Sequence, residues 1–198
     1  MSNGKFSGDN LCRPLDPYQP HGVVYKKQYA VHGLNIALRP LLLPNDIGLV
    51  RNWVSKAYLK PLRTINKAFS MVLQTLIDEA RSDRAQVLTV LLKNKPVCEV
   101  ELCDGQQDEI SFYYKLKKGD YIIRFLDPSH HTGAAFTAIV QTCCEYLFTQ
   151  RGVKRVIAPV CGKATEKTEL LEKSGFTFIK QVVTRYKKLN LYEAVKVE

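Results

Sequence analysis

The stretch from Gly119 to Phe176 constrains the fold most. Gly119 to Leu126 is an apolar, β-branched run that ends at Asp127-Pro128, and so reads as a strand. A short loop, Ser129-His130-His131-Thr132-Gly133, feeds a helix from about Ala134 to Gln150, with Ala135, Ile139, Cys143 and Leu147 on one face. Lys154 to Val160 reads as a short buried strand, and Glu166 to Ser174 as a helix stopped by Gly175. A strand delivered to a small-residue loop that opens a helix has a chemical consequence. Glycine and alanine let a ligand approach the backbone closely, and the first helical turn offers unpaired N–H groups and the positive end of the dipole. Together these suit a phosphate or pyrophosphate. An ordinary strand–loop–helix connection has the same pattern, with Gly133 merely easing the turn.

The rest of the chain supplies strands and helices in a definite order. Residues 1–27, with Pro14, Pro17 and Pro20 and no regular period, form an extended or partly disordered arm ahead of a single domain over residues 28–198. Tyr29 to Leu41 is a first strand or hairpin around Gly33. Pro44-Asn45-Asp46 opens a helix that runs to about Tyr58 before Pro61, and a second helix runs from about Thr64 to Ser82. Gln86–Leu92 and Pro96–Cys103 form a hairpin about Asn94-Lys95. Further strands are expected at Ile110–Leu116 and Phe176–Leu189. The order β-α-α-β-β-β-α-β-α-β places the chain in the α/β (α+β) class.

Composition narrows the function. The formal charge of +10 on 198 residues attracts polyanions. The basic residues are spread out with no long Lys/Arg block, which disfavours a nucleic-acid partner and suits a phosphate-rich small molecule. Cys12, Cys98, Cys103, Cys143, Cys144 and Cys161 form no C-x-x-C pair and have no histidine close by, so no metal site is expected. Most of them lie in apolar stretches and read as buried thiols of a reducing compartment. The polar start lacks the apolar core of a signal peptide, and no run approaches the ~20 apolar residues of a membrane span. A cytoplasmic protein without a membrane partner is the expectation. With no G-x-G-x-x-G and no repeated βαβ unit, a dinucleotide domain is disfavoured.

The spacing His130-x-x-Gly133-x-Ala135 resembles the acyl-coenzyme A loop of the GNAT N-acyltransferases, usually Arg/Gln-x-x-Gly-x-Gly/Ala. Glu145-Tyr146-Leu147-Phe148, Lys154-Arg155-Val156-Ile157-Ala158-Pro159 and Leu171-Glu172-Lys173-Ser174-Gly175-Phe176 follow in the same order. Together with Leu38-Arg39-Pro40-Leu41, Trp53 and Pro96-Val97-Cys98-Glu99-Val100, they are similar to the siderophore-biosynthesis branch, the hydroxylysine and lysine N-acyltransferases. The resemblance covers about residues 34 to 190 and implies a mixed, mostly antiparallel central sheet flanked by helices. It also implies acetyl-CoA or another acyl-CoA as co-substrate, held by Phe125, Leu126, Asp127, His130, Thr132, Gly133, Ala134, Ala135 and Phe136. The implied acceptor is a small amine or hydroxylamine. The branch usually carries a histidine where Ile123 stands, and Glu-Pro-Asp-x-x-Asn where Ala158-Pro159-Val160-Cys161-Gly162-Lys163 stands.

In this chemistry the acceptor nitrogen is held against the thioester, backbone donors polarise the carbonyl, and a base removes a proton. Glu99 is the first choice of base and Glu101 the alternative, since a period of two puts both on one face of their strand. If that face meets water, they are surface charges. Asp127, His130 and His131 are further candidates. Asp127 reads better as a loop cap, and the histidines as flanks of an anion. Cys161 at a strand end reads as a buried structural thiol ahead of a nucleophile, and Trp53 as core. Tyr186 and Tyr192 are candidate proton donors to the leaving thiolate, though packing or rim positions are the plainer reading. A non-catalytic GNAT-like domain that binds acyl-CoA or a partner protein is the alternative function.

Overall fold

The computed structural model describes residues 11–43, 45–57, 62–126, 133–161 and 165–197. Eight strands form one sheet: β1 (Tyr25–Tyr29), β2 (Leu34–Pro40), β3 (Ala85–Leu92), β4 (Lys95–Asp104), β5 (Asp120–Leu126), β6 (Arg155–Cys161), β7 (Thr177–Val183) and β8 (Lys188–Val195). Their order is β1-β2-β3-β4-β5-β6-β8-β7. Every neighbouring pair is antiparallel except β5–β6, which is parallel because helix α3 (Ala134–Thr149) carries the chain from one to the other. Helices α1 (Ile47–Ala57) and α2 (Leu62–Ala80) lie between β2 and β3 in sequence, and α4 (Thr165–Lys173) between β6 and β7.

Helices cover both faces of the sheet. On one face α3 packs with α4 over a core that includes Leu38, Leu102, Ile123, Ile139 and Leu147. Phe136, Ala138, Ile139, Val140, Cys143, Tyr146 and Leu147 are buried around most of the circumference of α3, as a helix needs when it is enclosed on several sides. The other face is covered by α1 and α2 through Val50, Trp53, Val54, Leu76 and Ile77. The expected hairpin at Tyr29–Leu41 is present, and its first strand begins four residues earlier, at Tyr25. Lys93 and Asn94 take positive φ (50° and 63°) in the β3–β4 turn, the conformation that two-residue hairpin turns favour.

Two expected strands come out differently. Ile110 lies in a 3-10 turn, Glu109–Phe112, and Ile110–Leu116 contributes no strand. The side chain of Asp108 accepts the Ile110 N–H at 2.9 Å and starts that turn, and Ile110 is fully buried beneath it. The expected strand Phe176–Leu189 is a hairpin of β7 and β8, broken at Thr184, whose hydroxyl accepts the N–H groups of Tyr186 (3.3 Å) and Lys187 (3.2 Å). Leu11 and Cys12 are buried in the core. Residues 15 and 17 bond to the backbone at Ala80 and Leu43, which fastens this segment across the end of α2.

Candidate active site

The parallel pair β5–β6 is closed at one end and open at the other. Gly119 enters β5 at φ +93°, and a Cβ there would meet the Gly152 carbonyl oxygen at 2.5 Å, so glycine permits the close approach. Arg155 then fixes the strands together. Its Nε and Nη2 donate to Asp120 at 3.0 and 2.5 Å, and its Nη1 donates to Glu193 at 2.7 Å. Pairing covers only Asp120–Arg155, Tyr121–Val156 and Ile122–Ile157. Past Ile122 the two strands have no paired residues. Pro159 stands there and has no N–H to give a ladder.

A cavity of about 340 Å³ occupies the gap. Phe136 and Leu171 line it from the α3–α4 side, Phe125 and Val160 from the separated strands, and Glu109, Arg124 and Lys187 from beyond them. It is thus a passage through the sheet. At the α3 end stands Gly133, the N-cap of the helix, at φ +64° and ψ −139° with no side-chain cap. A Cβ at Gly133 would have no atom within 4 Å, so the surface above the first helical turn is open. The N–H groups of Ala134, Ala135 and Phe136 have no intrahelical partner by helix geometry. A groove of about 420 Å³ beside them is lined by His32, Gly133, Ala134 and Lys173.

On the α2 side lies a third space, of about 610 Å³. Its ionic lining is acidic: Glu79, Glu101, Asp104, Asp108 and Glu109 face Arg84 and Arg124. The chain as a whole has a net charge of +10, so this cleft carries the opposite sign to its surroundings. Burial pushes the Glu79 carboxyl above its ordinary value, and the nearby charge of Glu101 pushes it further. The Cys103 thiol donates to Glu101 at 3.1 Å, and burial raises that thiol so that it stays neutral and keeps donating.

Glu99 and Glu101 share a face of β4, as a period of two requires, and have different surroundings. Glu101 pairs in register with Arg124 and opens onto the acidic cleft. Glu99 sits opposite Leu126 and is 1% exposed. The Thr89 hydroxyl is 3.1 Å from Glu99 and 3.0 Å from Asp46, and Arg39 forks Asp46 at 2.6 and 2.7 Å. One guanidinium thus faces two carboxylates in a closed space. Burial and then the Asp46 charge push the Glu99 carboxyl well above its ordinary value. Glu99 lines neither the passage nor the acidic cleft.

The remaining candidates are scattered. The rings of Phe125 and Phe136 meet in a tilted contact, centroids 5.6 Å apart, in the passage wall, and Leu126 packs on the α1–α2 core. Asp127, His130, His131 and Thr132 lie outside the described residues. Cys161 is exposed and lines the passage, whereas the other five cysteines are buried as expected, so the reading of Cys161 as a buried thiol is corrected. Trp53 is 4% exposed in the α1–α2 core, Tyr192 is buried against Phe178, and Tyr186 is 82% exposed. No group of metal-ligating side chains occurs among the described residues. Glu79, Glu109 and Arg124 line these spaces without a sequence signal that marks them. Glu79 lies on the polar side of an amphipathic helix and Glu109 just ahead of the stretch read as strand, and nothing local distinguishes either.

Comparison with known proteins places this geometry. A family model described as an acetyltransferase (GNAT) domain matches residues 43–184. The N-hydroxyputrescine acetyltransferase of Acinetobacter baumannii is 25% identical over 132 residues, which cover 66% of this chain and 63% of that protein. The match therefore spans less than two thirds of the relative's length. Among solved structures, an uncharacterized protein from Bacillus halodurans superposes with a TM-score of 0.74 at 16% identity, over 86% of this chain and 89% of that one. Aminoglycoside acetyltransferase AAC(6')-Ib in complex with coenzyme A and kanamycin gives 0.66 at 14%, over 81% and 95%. RimJ of Mycobacterium smegmatis in complex with CoA-disulfide gives 0.62 at 18%, over 91% and 90%. At these identities the structural likeness shows a shared fold.

Proposed function

Because the chain belongs to the GNAT acetyltransferase family, matched over residues 43–184, we propose that it moves an acetyl or other acyl group from acyl-coenzyme A to the nitrogen of a small amine or hydroxylamine. A siderophore precursor is the finer assignment. The observation that carries the reading is the passage between β5 and β6, which joins the open first turn of α3 to an acidic cleft on the opposite face of the sheet.

The parts divide the work. The N–H groups of Ala134, Ala135 and Phe136 hold the pyrophosphate, with His130 and Thr132 beside it as the family resemblance implies. Lys173 and His32 flank the outer groove, where further phosphate would lie. The pantetheine arm runs between Phe125 and Val160, where an apolar wall excludes water. Beyond Ile122 the edge of β5 that faces β6 has no ladder partner, so its backbone donors are available to a thioester carbonyl. In the cleft, Glu79 and Glu101 attract a cation. The acceptor then carries a positive charge besides its reacting nitrogen. The name of the Acinetobacter relative, N-hydroxyputrescine acetyltransferase, is in keeping with such an acceptor. In the reaction the nitrogen lone pair forms the new C–N bond and the C–S bond breaks. The nitrogen gives up one proton and the departing sulfur takes one.

One observation favours a second reading, a domain that binds acyl-coenzyme A without turning it over. Ile123 stands in the core, 1% exposed, where the resembled branch has a histidine, and it cannot take a proton. Turnover separates the two. The purified protein with acetyl-coenzyme A and a panel of monoamines, diamines and their N-hydroxy derivatives should release thiol and form amide or hydroxamate in equal amounts, with cationic acceptors preferred. Binding of acetyl-coenzyme A with no product from any acceptor would establish the non-catalytic reading.

A further inference from the structure

Of the described residues, two line both the passage and the acidic cleft: Arg124 and Glu109. A group that removes a proton from the attacking nitrogen has to stand where the two spaces meet, since one holds the thioester and the other the acceptor. Arg124 is a cation and cannot take the proton. Glu109 can, and its setting is built. The residue before it, Asp108, is buried and accepts both Nη2 (2.8 Å) and Nη1 (2.6 Å) of Arg124. Asp108 also accepts the Ile110 N–H, and Ile110, directly after Glu109, is fully buried. Glu109 is thus the exposed residue between two anchored ones, and among the described residues it makes no ion pair. The competing carboxylates are otherwise engaged. Asp108 is taken by Arg124, Glu99 is enclosed, and Glu101 lines the cleft and not the passage and accepts the Cys103 thiol.

We propose that Glu109 is the catalytic base of the transfer, and that the Arg124–Asp108 fork positions it. As the acceptor nitrogen bonds to the thioester carbon, its proton passes to the Glu109 carboxylate, directly or through one water. The C–S bond breaks, the thiolate takes a proton from solvent, and Glu109 returns its own to solvent. Glu101, which lines the cleft and not the passage, holds the distal charge of the acceptor. This rests on the acyltransferase reading above.

The test compares wild type, Glu109→Gln, Glu109→Asp, Glu101→Gln and Arg124→Lys, with acetyl-coenzyme A and the best acceptor of the panel. Glu109→Gln should lower kcat by about 10²–10⁴-fold. It should leave acetyl-coenzyme A affinity within twofold and abolish the acid limb of the kcat–pH profile. Glu109→Asp should keep that limb at reduced kcat, and Arg124→Lys should lower kcat with the limb intact. Glu101→Gln should raise KM for the acceptor more than it lowers kcat. The proposal is overturned if Glu109→Gln stays within about twofold of wild-type kcat, if its effect falls on KM alone, or if Glu101→Gln is the variant that loses the limb. A wild type that acylates nothing on the panel removes the acyltransferase reading itself, and this proposal with it.

Discussion

Glu99 shows how far surroundings set the character of one side chain. It shares Thr89 with Asp46, and Arg39 is already forked onto Asp46, so an ionised Glu99 would be an uncompensated buried charge. Its folded-state pKa is raised above the unfolded value. The neutral form therefore contributes stability that is complete below about pH 4.3, the unfolded carboxylate value, and is lost as pH rises through the folded value. Glu99→Gln keeps a hydrogen-bonding partner for Thr89 and removes this titration. Thermal melts should show the variant gaining on wild type as pH rises from 4 to 8, by about 2–4 °C for each 1 kcal/mol. A difference that stays constant across that range would place the excess proton elsewhere. The alternation in β4 made it legible that Glu99 and Glu101 share a face. Which of them a helix would cover was not, because that depends on where α1 and α2 cross the sheet.

Two other residues bear on the site. Gly133 holds φ +64° at the start of α3, where an L-residue is strained, and its Cβ position is open space above the helix end. Gly133→Val should weaken coenzyme A binding at least tenfold by calorimetry, with the far-ultraviolet circular dichroism preserved. Equal affinity would make the loop a connector only. Cys161 is exposed in the passage, where a thiol could meet a thioester. The acidic cleft gives the acceptor direct access to the passage instead, so Cys161→Ala should retain most of the activity. Intact-mass detection of acylated Cys161 as a competent intermediate would contradict direct transfer.

At the scale of elements, the decisive feature is a parallel pair held at its root and free at its mouth. Arg155 joins β5, β6 and β8 through Asp120 and Glu193, and Asp120 is almost wholly buried. Arg155→Gln leaves the Asp120 charge without its partner. The expected loss is about 3–5 kcal/mol in denaturant unfolding, the usual penalty for breaking a buried pair. A loss under 1 kcal/mol would show that the root is held by backbone pairing alone. Most elements were legible because their periods are clean: the two-residue alternation of β4, the amphipathic stripe of α2 and the Gly175 stop after α4. The exceptions have local causes. Phe112, Tyr113 and Tyr114 have strand propensity, but the side-chain cap from Asp108 and the burial of Ile110 turn the chain there. The β7–β8 turn, Thr184-Arg185-Tyr186-Lys187, contains no glycine, proline or asparagine, and the Thr184 hydroxyl does their work.

Across the whole molecule, three spaces lie on two faces of one sheet: an open helix end and groove, a passage between separated strands, and an acidic cleft. The sequence motif around Gly133 announced the first. The other two depend on strand order and on where α2 ends, and neither is visible in local pattern. The end of α2 that carries Glu79 is fastened by the segment at Leu11 to Pro17, which bonds to Ala80 and Leu43. In the proposed function this passage brings the thioester to the acidic cleft. A crystal structure with coenzyme A bound tests it directly. The pyrophosphate is expected on the N–H groups of Ala134 to Phe136 and the sulfur between Phe125 and Val160, facing Arg124 and Glu109. A coenzyme A whose sulfur lies outside the gap between β5 and β6, or whose pyrophosphate sits away from the start of α3, would contradict it.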